Sequence, residues 1–125
     1  MNLRIVFLGV AWLFVMALLF FTSSQESQVY YFDMIPSRSL IHGLLMWGFV
    51  HIWIAALKKQ LKHEFLKRNA FVIVFSSAVI IALGSELAIY GCQLSSCFSV
   101  WNLFFDILGA CIGIISFRIL YSQCY

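Results

Sequence analysis

Charge is what this chain has least of. Charged residues make up 10% of its 125 positions, where a soluble domain carries about 25%. A soluble fold this small could not cover the apolar remainder. Proline is nearly absent, with Pro36 the single example, so long helices run uninterrupted. The four cysteines contain no CxxC pair and no Cys/His spacing suited to a metal, which excludes a zinc ribbon or a thiol relay of the usual kind. No phosphate-binding glycine loop, no Ser/His/Asp set of recognisable spacing, no internal repeat and no low-complexity tract occurs. No metal or cofactor is therefore expected. What the chain has in abundance is apolar surface: 63% of residues are hydrophobic and the mean hydropathy is +0.97. That composition belongs to the membrane class.

Four apolar runs, at about residues 4–22, 36–57, 70–90 and 98–121, are each long enough to cross a bilayer as a helix. The expectation is an all-α bundle of four transmembrane helices forming one domain over 1–125. The first run follows Arg4 and ends in SSQESQ. Its length and the lack of a small-x-small site favour a retained helix over a cleaved signal peptide. Tyr30, Tyr31 and Phe32 suit the interface between water and lipid, and Pro36 suits the first turn of the second helix. Lys58, Lys59, Lys62, Lys67 and Arg68 crowd the connection between spans two and three. With alternating spans, Arg4 and Arg118 fall on the same side, leaving only Arg38 of the eight basic residues opposite. The positive-inside rule then predicts both termini in the cytoplasm. Attraction to anionic lipid accounts for the basic connection without a nucleic-acid partner.

The stretch SVWNLFFDILGACIG, from Ser99 to Gly113, carries polar groups inside the fourth apolar run. Asn102 and Asp106 are one helical turn apart, and Gly109 and Gly113 continue their stripe. An ionised Asp in a membrane helix costs about 2.5–3.5 kcal/mol on insertion scales, so Asp106 should face protein or water. The GxxxG pair lets a second helix approach along the same stripe. With the predicted orientation, Arg38, His42, Glu86, Asn102 and Asp106 all fall in the outer halves of their spans, at the level where Ser23 and Ser24 close the first. His51 is half a turn out of phase with His42 and about 13 Å further along, so the two cannot serve one site.

These residues together resemble the VanZ-like family of small bacterial membrane proteins. The likeness lies in a Ser pair ending span one (Ser23, Ser24), a histidine early in span two (His42 in RSLIHGLL) and a glutamate ending span three (Glu86 in GSELAIY). It lies most clearly in the S-x-x-D-x-x-x-N-x-x-G-x-x-x-G pattern, matched by Ser99, Asn102, Asp106, Gly109 and Gly113 with Asp and Asn exchanged. The exchange keeps one carboxylate and one amide on the same face. The chain also departs from the family in having Arg38 and Ser39 in place of an Asp-Lys pair, Ile89 in place of a glutamine, and Ser96 about where an arginine is common.

The resemblance implies a cell-envelope protein linked to glycopeptide (teicoplanin) resistance. On the residues, the expected site is a polar pocket in the outer leaflet that binds or processes a lipid-linked head group. Glu86 or Asp106 acts there as base with His42 as its partner, and Ser24, Arg38, Ser99 and Asn102 contact the substrate. Membrane lipid is the expected partner. Two other classes compete: an accessory protein whose polar seam only holds helices or a partner, and a transporter, which would need ionisable groups through the inner half as well. Cys92 and Cys97, in CQLSSC, lie on the side where disulfides persist and could close a small structural loop rather than serve a thiol oxidoreductase.

Overall fold

The structure, a computed structural model, describes residues 3–23, 30–31, 35–59, 63–92 and 100–121, with side chains described outside 21–37. Four long helices dominate: α1 (Leu3–Ser23), α2 (Ser37–Lys58), α4 (Ala70–Gly91) and α5 (Val100–Tyr121). Each is long and apolar enough to span a membrane, and the chain is an all-α, multi-pass membrane protein. Two small elements are additions to the expected plan. Tyr30–Tyr31 (β1) pairs antiparallel with Ile35–Pro36 (β2), and Glu64–Arg68 (α3) is one short helix inside the basic connection. Glu64 at the start of α3 and Lys67 and Arg68 at its end complement the helix dipole. Pro36 ends β2, immediately before the helix rather than inside its first turn.

Large apolar side chains such as Phe7, Phe14, Leu44, Ile80 and Ile119 point outward, as a lipid solvent permits. Lipid tails are as apolar as Leu, so burial of such groups gives little drive for helix association, and close packing through small residues takes over. The buried stripe of α4, Ala70, Val74, Ala78 and Ala82, is of that kind. α2 is the central helix and packs against α1, α4 and α5. At the α1–α2 contact, two tryptophans are each accommodated by a glycine on the other helix. A Cβ on Gly48 would lie 2.5 Å from the Trp12 ring, and one on Gly9 would lie 3.0 Å from Trp53. The Trp12 indole N–H also donates to the Leu45 carbonyl at 3.1 Å.

The α2–α5 contact is tighter still. A Cβ on Gly109 would overlap the Gly43 carbonyl oxygen, and one on Gly113 would lie 3.0 Å from the Val50 side chain. Gly84 on α4 is the opposite case, with nothing within 4 Å of a Cβ. Gly84→Ala is therefore expected to raise thermal stability by about 0.5–1 kcal/mol through reduced backbone freedom alone, measured as an upward melting shift in detergent.

At the basic end, Lys58 of α2 and Arg118 of α5 both stand over the Phe71 ring of α4, at 5.0 and 4.8 Å from its centroid. This ties three helix ends together by cation–π attraction.

Candidate functional site

The polar groups of three helices meet at the end of the bundle remote from that basic end. α2 supplies Arg38, Ser39 and His42, which share a face because they fall at i, i+1 and i+4. α5 supplies Asn102 and Asp106, one turn apart, and α4 supplies Glu86. All six side chains are at most 5% exposed, with His42 and Asp106 at 0%. From α1, the Phe20 ring stacks on the His42 imidazole at a centroid distance of 3.9 Å and an interplanar angle of 5°. Within the described residues, the cluster is a packed interior.

Two sets of bonds run through it. In the first, the Ser39 hydroxyl donates to Asn102 Oδ1 at 2.7 Å, and Asn102 Nδ2 donates to Glu86 Oε1 at 2.7 Å. This ladder crosses from α2 through α5 to α4. In the second, His42 Nδ1 meets Asp106 Oδ2 at 3.2 Å. With the carboxylate ionised, Nδ1–H is the donor, which leaves Nε2 with the free lone pair. That is the arrangement in which a carboxylate fixes the tautomer and orientation of an imidazole base.

The two sets differ in how completely they are satisfied. His42 Nε2, Asp106 Oδ1, and Nε and Nη2 of Arg38 are buried without a hydrogen-bond partner among the described residues. Trp53 Nε1 is likewise unpaired, but it belongs to a neutral indole at the α1–α2 contact. Buried polar groups are ordinarily paired, because an unpaired one forfeits its water without replacement.

Of the residues singled out from the sequence, the structure thus brings together Arg38, His42, Glu86, Asn102 and Asp106. Gly109 and Gly113 line the α2–α5 crossing beside them. Ser24, Ser99 and Cys97 lie outside the described residues, as does the side chain of Ser23. Cys92 carries a free thiol and is exposed at the end of α4. Among the described residues, no group of three His, Cys, Asp or Glu side chains could hold a metal ion.

Sequence reasoning missed Ser39 and Phe20, and it missed a second polar group nearer the basic end. There the Trp47 indole N–H donates to Ser116 Oγ at 3.1 Å, Ser116 Oγ meets His51 Nε2 at 3.2 Å, and His51 Nδ1 meets the Trp47 carbonyl at 3.0 Å. A carbonyl only accepts, so Nδ1 carries the proton and Nε2 accepts from the Ser116 hydroxyl, whose single proton is shared with the Gly113 carbonyl at 3.2 Å. The ring of bonds is closed and acts as a clamp between α2 and α5. Its signal was available: Ser116 extends the Asn102–Asp106–Gly109–Gly113 stripe by three residues, and Trp47 and His51 are four apart. An apolar groove of about 340 Å³ between the same helices, lined by Leu40, Leu44, Trp47, Phe105, Leu108 and Ile112 among others, contains none of the cluster's side chains.

In comparisons with known proteins, no family model, curated protein or solved structure matches this chain.

Proposed function

We propose that this multi-pass membrane protein works at the bacterial cell envelope, where its buried cluster engages the polar head group of a lipid-linked precursor in the outer leaflet. His42 and Asp106 form the acid–base pair. The observation that carries this reading is the uneven satisfaction of the cluster. A device serving only to hold helices together gains by pairing every buried group, and the Ser39–Asn102–Glu86 ladder does so through its two hydrogen bonds. His42 Nε2 and Asp106 Oδ1, on α2 and α5 of the same cluster, have no such partner among the described residues. A polar head group would supply one.

In this division of labour the ladder positions α4, and His42 Nε2 takes or gives the proton, with Asp106 holding the imidazole. The orientation, both termini cytoplasmic, follows the basic connection between α2 and α4. The VanZ-like pattern makes teicoplanin susceptibility the natural readout.

The test scores two variants on two scales, membrane accumulation and growth under teicoplanin. His42→Gln is expected to accumulate normally and lose protection. Asn102→Leu removes the donor to Glu86 and the acceptor of Ser39, leaving buried groups unsatisfied at about 1–3 kcal/mol each. It is expected to accumulate poorly, with protection falling only in proportion. If both variants lose protection solely in step with abundance, the cluster is a packing seam and the acid–base reading is wrong.

A further inference from the structure

Arg38 narrows the chemistry of the head group, an inference that rests on the reading above that the cluster takes one. Its side chain is 5% exposed, and Nε and Nη2 are both buried without a partner among the described residues. These two atoms lie on one edge of the planar guanidinium. Their N–H bonds run parallel there and match two oxygens of a single phosphate or carboxylate. A guanidinium stays charged in proteins, so it cannot relieve its burial by losing a proton as a lysine can. An uncompensated buried charge is strongly unfavourable, which makes an anionic partner the expected complement.

The cluster's own carboxylates do not fill that role. Asp106 pairs with His42 and Glu86 accepts from Asn102, and neither forms an ion pair with Arg38 among the described residues. Arg38 is the second residue of α2. It therefore sits at the first turn of a helix long and apolar enough to span a membrane, and at the positive end of the helix dipole.

We propose that Arg38 is an oxyanion receptor that takes a phosphate group side-on through Nε and Nη2. His42 stands one helical turn deeper to meet the remainder of the head group. The same chemistry could be offered by a lipid phosphate or by a free phosphate ion, and the experiment separates them.

The full chain, purified in detergent micelles, is titrated with phosphatidylglycerol, with inorganic phosphate and with monogalactosyldiacylglycerol, which has no phosphate. Binding is read by native mass spectrometry and by the melting shift. Phosphatidylglycerol is expected to bind and raise the melting temperature, and the galactolipid to do neither. Arg38→Gln is expected to weaken phosphatidylglycerol binding by about tenfold or more, the scale of a charge-assisted bidentate contact. Arg38→Lys keeps the charge without the fork and should fall between. It also serves as the working variant should Arg38→Gln fail to fold.

Retention of phosphatidylglycerol affinity within about twofold by both variants, or equal binding of the galactolipid, overturns the proposal. Arg38-dependent binding of inorganic phosphate alone supports the oxyanion site and assigns it a soluble ligand. The two readings fail separately. Should His42→Gln abolish protection while Arg38→Gln still binds phosphatidylglycerol, the oxyanion assignment falls and the acid–base pair stands; the reverse pattern retains the receptor and removes the pair.

Discussion

Gly109→Ala, the addition of one methyl group, is expected to do more damage than the same change at any other glycine of this chain. The new Cβ would overlap the Gly43 carbonyl oxygen. That atom belongs to the backbone and cannot rotate aside, as the Trp12 ring could for a change at Gly48. The only relief is to move α2 and α5 apart. Separation at this crossing would also lengthen the His42–Asp106 contact, which spans the same two helices within one turn of it. Overpacking a close contact costs about 1–3 kcal/mol. Here it would also strain buried polar bonds, so the upper part of that range applies. The expected result is a melting temperature lower by at least about 5 °C and sharply reduced membrane accumulation. Gly84→Ala, the same substitution in open space, should show neither. Equal stability of Gly109→Ala and the native chain would mean that the crossing is not the fixed point described above.

Asp106→Asn should leave the bundle standing and remove the proposed acid–base function. The amide has nearly the shape of the carboxylate and can still bond to His42, so abundance should stay near that of the native chain. Its charge is gone, however. An amide presenting its NH₂ to Nδ1 would impose the opposite tautomer and put a proton on Nε2, the atom proposed as base. General acid–base catalysis contributes about 10²–10⁴-fold, and a loss of that order at matched abundance is the expected outcome, read as lost protection against teicoplanin. Glu86→Gln is the informative comparison. Glu86 is hydrogen-bonded to Asn102 rather than to the imidazole, so its neutral isostere should retain more activity than Asp106→Asn. If Asp106→Asn protects as well as the native residue, the pair has no acid–base role.

The spans were legible because a bilayer demands about 20 uninterrupted apolar residues, and four such runs stand out in a chain this poor in charge. The Asn102–Asp106–Gly109–Gly113 stripe was legible because its spacing of three and four maps onto one helical face. Which polar group meets which was hidden. The choice of Asp106 for His42, and of Asn102 for both Ser39 and Glu86, depends on the height and rotation of each helix, and Gly43 at the crossing helps to set both. Phe20 could not be picked out because α1 is apolar all round and offers no periodicity to distinguish its inward face. Ser39 looked like an ordinary residue at a helix start. The short α3 and the β1–β2 pair fall below the length at which hydrophobic period carries information.

The Phe71 ring between Lys58 and Arg118 has a mechanical consequence. Because three helix ends are fastened at one height, the rods resist sliding lengthwise past each other, and the relative movement left to them is tilt about that fastening. A helix of 22 residues is about 33 Å long, and a tilt of about 5° swings its far tip by about 3 Å. At that far end α2 and α5 are held together by the Gly43–Gly109 approach, so the tilt falls to α4, which carries Glu86, against the α2–α5 pair.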